Sequence, residues 1–169
     1  MLAEKHNVAH LSTGDILRAE VSGGTELGRK AKAYMDAGDL VPDQLILDMI
    51  RQRLTAMGTK RGFVLDGFPR NTNQADALER MLDELKLSLN RAILVEVADK
   101  EIKQRLVGRA RMEHRSDDND DIIAHRLEVY RKQTEPLIEY YENRGLLARI
   151  NGEQSIDVVF EEMEKLAAA

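Results

Sequence analysis

The chain has 169 residues, no cysteine, 33% charged and 43% hydrophobic residues, and a formal net charge of −5. Its size suits one domain with a real core, and its mild, scattered acidity excludes a whole-molecule attraction to nucleic acid or anionic membrane, so any anion site must come from local clustering. The absence of cysteine excludes disulfide scaffolds and thiolate metal centres; with no long apolar run and no signal-like pattern at Met1, the expected location is the cytoplasm.

The predicted elements begin with a helix-like fragment, "LAEKH", followed by a short apolar run at residues 8–11 that reads as a strand. Next comes "STGDILR", where Ser12, Thr13 or Asp15 can cap a helix and Arg18 lies one turn inside it. Taken alone, this is an ordinary helix start with a solvent-facing arginine. The segment from Gly23 to Lys30, "GGTELGRK", has the glycine spacing of a phosphate loop, but Arg29 and Lys30 occupy the wrong positions and a helical stretch precedes it, so it reads as a turn between helices. After Pro42, the apolar residues Leu45, Ile46, Met49, Ile50 and Leu54 fall at helical spacing.

A second strand, residues 63–65, runs into "DGFPRNTNQA". An aspartate at a strand end can hold a metal ion through water. Gly67 permits close backbone approach, Pro69 stiffens the turn, and Arg70 offers a planar fork suited to phosphate. The alternative is a tight turn with a surface arginine. Leu78, Met81, Leu82 and Leu85 continue as a helix after Thr72, and "AILVEV" at residues 92–97 has the near-continuous apolar character of a strand covered on both faces. Ile102 and Leu106 mark the helix after Asp99. Arg105, Arg109, Arg111, Arg115 and Arg126 then flank the acidic run "SDDNDD", which is either a salt-bridged surface or a cationic flap over a phosphate site. A fourth strand at 146–150 and a final helix capped by Ser155, with Ile156, Val159, Phe160, Met163 and Leu166 on one face, complete the chain.

Strands alternating with helices predict an α/β fold with a parallel sheet and helices on both faces, and in such sheets ligands sit at the carboxyl ends of the strands. The residues after Leu11 and Leu65 then share one rim, and each carries a glycine and an arginine.

In this order, "LSTGDILR", "GDLVPD", "GFVLDGFPRNTNQA", "RLVGR" and "RSDDND…HRLEVYRKQTEPLIEYY" resemble the short-lid adenylate kinases among the nucleoside monophosphate kinases, over essentially the whole chain. The resemblance implies a P-loop-kinase-like fold and reversible phosphoryl transfer from MgATP to AMP, giving two ADP. It implies a core of residues 1–11, 42–108 and 122–169, an AMP-binding arm at 12–41 and a short lid at 109–121. Thr13, Arg18, Leu40, Val41, Gly67, Arg70 and Gln74 would form the acceptor site, with Arg18 and Arg70 on the AMP phosphate and Gln74 reading adenine. Arg105 and Arg109 would meet ATP, Arg115 and Arg126 would clamp the transferring phosphoryl at the AMP side, and Gly152 and Ile156 would pack near the donor adenine. Asp66 would organise the Mg²⁺ shell through water, and Asp117 and Asp118 would tie the lid arginines on closure. The implied partners are ATP, AMP and ADP, with neither nucleic acid nor membrane, and the expected state is a monomer.

The same resemblance places a strand and a glycine-rich phosphate loop ahead of "LAEK", where this sequence starts. The expectation is a sheet without its first central strand, in which the strands ending at Leu65 and Val97 lack a shared neighbour. A polypeptide of these residues alone is expected to turn over at background until that strand and loop are supplied. The readings this leaves beside an adenylate kinase are a UMP/CMP-type kinase and a non-catalytic AMP-binding remnant. Gln74 favours adenine over the pyrimidines through its amide.

Overall fold

In the computed structural model, which describes residues 1–57, 62–113 and 120–167, the four apolar runs form strands. They are β1 (Ala9–Ser12), β2 (Phe63–Asp66), β3 (Ala92–Glu96) and β4 (Leu147–Asn151), and three of them end one residue later than their apolar runs while β3 ends one earlier. Apolar character marks the buried part of a strand, and the backbone ladder extends past it to the polar residues at the rim.

The strands pair in parallel as β1 with β2 and β3 with β4, and among the described residues no strand joins the two pairs. The α/β class with parallel strands is as expected, in the form of two two-stranded halves. β3 departs from the expectation of cover on both faces: Ala92, Ile93 and Leu94 are half-buried, and Val95 is 40% exposed. Its polar end is occupied by an ion pair, with Arg149 Nη1 2.6 Å from Glu96 Oε1.

The connection from β1 to β2 carries α2 (Thr13–Ser22), α3 (Glu26–Ala37) and α4 (Asp43–Met57). A short first helix, α1 (Leu2–Lys5), precedes β1. Ser12 caps α2 by accepting from the Asp15 N–H, and Thr25 caps α3 by accepting from the Gly28 N–H. The stretch 23–30 is therefore a helix-to-helix turn with a capped second helix. α3 stops at Gly38, whose φ of 77° is the left-handed C-cap conformation that glycine adopts without strain.

Ile46, Met49, Ile50 and Leu54 form one buried stripe on α4, and Leu78, Met81 and Leu82 form another on α5 (Thr72–Glu84). The stripes meet Leu11, Leu17, Ala31, Val41 and Phe68 in the main core. Each fully buried Leu, Ile or Met there contributes about 1.5–3 kcal/mol of hydrophobic free energy.

The second half of the chain holds α6 (Asp99–Glu113), α7 (Asp120–Val129), a π-helical segment (Tyr130–Thr134), α8 (Pro136–Glu142) and α9 (Ile156–Ala167). A smaller core joins Ala75 of α5 to Leu137 and Tyr141 of α8. The apolar stripe expected on α9 is there in sequence, but none of its residues is fully buried and Ile156 is 75% exposed. No helix among the described residues is long and apolar enough to cross a membrane.

Burial pushes the Tyr141 phenol up from 10 to about 12, with Glu79 adding to the shift and Arg144 opposing it. The unfolded chain releases this proton near pH 10 while the folded chain holds it to about 12, so the contribution to stability is complete below 10 and is lost across that interval. The melting temperature is expected to fall over that range, and Tyr141→Phe to flatten the fall. An unchanged slope in the variant contradicts the assignment.

Candidate active site

β1 and β2 are in register with Ser12 opposite Asp66, so the next residues, Thr13 and Gly67, emerge side by side at the carboxyl rim. Thr13 Oγ1 donates to the Gly67 carbonyl at 3.1 Å, and the Arg70 Nε donates to the same oxygen at 2.9 Å. Gly67 has φ 72°, and a Cβ there would lie 3.1 Å from Thr13 Oγ1 and 3.2 Å from Arg70 Nη2. Only glycine lets the turn close this tightly without displacing both side chains.

The cavity at this rim is walled by the first turns of α2, the C-terminal turn of α3, the start of α4, the β2–α5 turn and α7. Every described residue expected at the AMP site lines it: Thr13, Arg18, Leu40, Val41, Gly67, Arg70, Gln74 and Arg126. Among the described residues the buried polar side chains are Thr13 and Gln74, and both line this cavity. Polar groups are costly to bury, so two at one cavity mark a site in which they have work beyond packing.

Arg70 is held below its ordinary pKa first by burial and then by the positive charges of Arg126, Arg109 and Arg18, with Asp66 acting in the opposite sense. A guanidinium stays charged under such pressure, so a chain of net charge −5 concentrates cations at one point. A phosphate dianion would relieve that repulsion and take the planar forks as bidentate donors. Arg18 Nη2 also pairs with Asp15 Oδ1 at 2.5 Å.

At the other end, the Gln74 amide is fixed on both sides. Its Oε1 accepts from the Arg70 backbone N–H at 2.8 Å, and its Nε2 donates to Asp43 Oδ1 at 2.7 Å. Asn71 caps α5 by accepting from the Gln74 N–H and donates its own Nδ2 to the same Asp43 oxygen at 2.9 Å. Thr134 of the π-helical segment donates to the Arg70 carbonyl at 2.7 Å, which ties the turn to the far half of the chain.

The other expected residues among those described do not line this cavity. Arg105 Nη1 donates to the Gly152 carbonyl at 2.9 Å, and its Nε pairs with Glu101 at 2.7 Å. Gly152 is buried, since a Cβ would meet Val95 and Val97 at 2.5 Å, whereas Ile156 stands out on the surface at the start of α9. Asp66 is exposed at the strand end, with His10 Nε2 3.3 Å from its carboxylate. No group of three His, Asp or Glu suited to a metal ion occurs among the described residues. One exposed carboxylate fits an ion that arrives hydrated on a nucleotide, as Mg²⁺ commonly does, better than one caged by protein. Arg115, Asp117 and Asp118 lie outside the described residues.

Sequence reasoning gave no role to Gly38, Asp39 and Asp43, although all three stand in "GDLVPD". Gly38 packs its α-carbon against α7, where a Cβ would lie 2.9 Å from Ile122 and 3.0 Å from the Arg126 stem, and the neighbouring Asp39 pairs with His125 at 2.7 Å. The glycine after a helical stretch was a readable C-cap signal; the contacts to α7 depend on tertiary placement.

A sequence profile described as "Adenylate kinase" matches residues 1–146. The adenylate kinase of Thermobifida fusca (strain YX) is 52% identical over 159 residues, covering 94% of this chain and 84% of the relative. That of Methanothrix thermoacetophila is 42% identical over 192 residues, covering 98% and 89%, and that of Leptospira biflexa serovar Patoc is 48% identical over 159 residues, covering 94% and 86%.

Proposed function

The chain belongs to the adenylate kinase family, and on that premise we propose that the cavity at the β1–β2 rim takes AMP as phosphoryl acceptor from MgATP. What carries this reading is the convergence of Arg18, Arg70 and Arg126 with the buried Gln74 amide on one cavity. Arg18 and Arg70 hold the AMP phosphate, Gln74 reads the adenine edge, and Leu40, Val41 and Thr13 enclose the nucleoside between them. Residues 12–41 serve as the acceptor arm and 109–121 as the lid, and closure of the two keeps water from taking the phosphoryl group.

The protein does little covalent chemistry in such a reaction. It holds donor and acceptor phosphates in line and surrounds the transferring group with cations, Arg126 and Arg115 from the acceptor side and Arg105 and Arg109 from the donor side. Asp66 would hold a magnesium ion through water, and such an ion would supply charge neutralisation to the donor phosphates.

Calorimetric titration with AMP, CMP and UMP tests the acceptor assignment. AMP is expected to bind most tightly, and Gln74→Ala to narrow its preference over CMP by about fivefold, the worth of one net hydrogen bond. An AMP-to-CMP ratio that does not move contradicts the role of Gln74. Coupled measurement of AMP-dependent ADP formation distinguishes phosphoryl transfer from binding without turnover.

A further inference from the structure

We propose that Asp43 is a positioning residue that sets base selectivity, by locking the Gln74 amide in the orientation that suits a 6-amino purine and opposes a 6-oxo purine. The inference rests on the acceptor-site reading and extends it to a residue outside the ligand contacts.

A glutamine amide can turn over and exchange its oxygen for its NH₂, which inverts the pattern it presents. Here neither exchange partner tolerates the turn. Asp43 Oδ1 is an acceptor only, 2.7 Å from Gln74 Nε2, and the Arg70 backbone N–H is a donor only, 2.8 Å from Gln74 Oε1. Turning the amide would set oxygen against carboxylate and NH₂ against N–H. Asp43 is itself braced, because the same Oδ1 takes the Asn71 Nδ2 at 2.9 Å and Asn71 is the cap of α5.

The bonds to Asp43 and Arg70 use one of the two Nε2 hydrogens and one of the two Oε1 lone pairs. What remains on this buried residue lining the cavity is one N–H beside one acceptor site. That pair complements the N1 acceptor and 6-amino donor of adenine. Hypoxanthine offers the reverse, an N1–H and a 6-oxo oxygen, and meets like groups on both sides. Sites that hold hydrogen-bonding groups rigid discriminate more strongly than those that let them adapt, because the wrong ligand leaves buried polar groups unpaired. A carboxylate makes the stronger clamp, since charge-assisted bonds exceed neutral ones.

The test measures binding of AMP, IMP and ribose 5-phosphate to the wild-type chain and to Asp43→Asn, Gln74→Ala and the double variant, with melting curves alongside. Asp43→Asn keeps the size of the side chain and loosens the clamp. Asp43→Glu, which keeps the charge and moves the oxygen by one methylene, is the companion variant should the first fold poorly. Either is expected to weaken AMP by about fivefold while moving ribose 5-phosphate and IMP less than twofold, so that the AMP-to-IMP ratio shrinks. In the Gln74→Ala background the same substitution is expected to have no further effect on AMP. Loss of a negative charge alone would not weaken a phosphate ligand, so the ribose 5-phosphate arm separates orientation from electrostatics. Equal weakening of all three ligands, an undiminished effect without Gln74, or an unchanged AMP affinity overturns the assignment. If the wild-type chain binds no AMP, or Gln74→Ala leaves AMP untouched, the acceptor reading falls with it; if the wild-type chain binds AMP and Gln74→Ala weakens it, only the role of Asp43 is lost.

Discussion

Arg70→Ala is expected to weaken AMP binding by about 100-fold while changing ATP affinity far less, because hydrogen bonds to a charged group are worth about 1.5–3 kcal/mol and a fork makes two. The side chain is placed for this by its own turn: Nε is committed to the Gly67 carbonyl at 2.9 Å, which holds the guanidinium plane toward the cavity that Arg18 and Arg126 also line. Lysine is not a conservative replacement. It offers a point charge in place of the fork, and the burial and the Arg126, Arg109 and Arg18 charges that lower the pKa of Arg70 would act on an ammonium that gives up its proton far more readily. Arg70→Lys is therefore expected to raise the AMP Michaelis constant more than that for ATP, with a loss that deepens as pH rises. Equal effects on the two nucleotides, or a loss that does not depend on pH, would contradict the placement of Arg70 at the acceptor phosphate.

The largest stability effect is expected at Gly28. A Cβ at this position of α3 would lie 2.1 Å from the Glu20 carbonyl oxygen, 2.3 Å from its carbon and 2.6 Å from the Val21 nitrogen, all backbone atoms of α2. No rotamer change relieves contacts with backbone, so the two helices must move apart. Ala31 of α3 is fully buried and Leu17 of α2 is 6% exposed, so separation also opens the core. Gly28→Ala is expected to cost about 3 kcal/mol, which for a chain of this size lowers the melting temperature by about 10 °C. It should weaken AMP as well, since α2 carries Thr13 and Arg18. Gly24→Ala is the control: nothing lies within 4 Å of the added carbon, and its φ of 63° leaves only backbone strain of about 1 kcal/mol. Similar melting temperatures for the two variants would show that α2 and α3 do not depend on close approach at Gly28.

Much of the rim was legible because its signals are local. A strand followed at once by "STG", and another followed by "DG", can be read as chain reversals that present glycine and arginine at a strand end, and both are found at the register pair Ser12 and Asp66. The stripes on α4 and α5 were legible for the same reason, as periodicity specifies a face. It does not specify depth: α9 has a regular apolar stripe yet buries none of it fully, since it packs at the margin against β4 and α1. Asp43 stood in the stretch "GDLVPD", but its role was silent because its partners Asn71 and Gln74 lie 28 and 31 residues away. Gly28 was weighed for its spacing from Gly23, whereas its role is set by the backbone of α2, which no glycine spacing reports. The division of the strands into two pairs agrees with the expectation that the strands ending at Leu65 and Val97 lack a shared neighbour, an expectation that came from the family resemblance and not from the apolar runs.

The central claim is that AMP occupies the cavity between the β1–β2 rim and α7, held at its phosphate by Arg18 and Arg70 and at its base by Gln74. A map of backbone amide chemical-shift changes on addition of AMP tests it most directly. The account predicts that the largest changes fall at Thr13, Arg18, Gly67, Arg70 and Gln74, with Arg126 following across the cavity. Changes centred instead on Arg105 and Gly152, with the rim residues unmoved at saturating AMP, would contradict it.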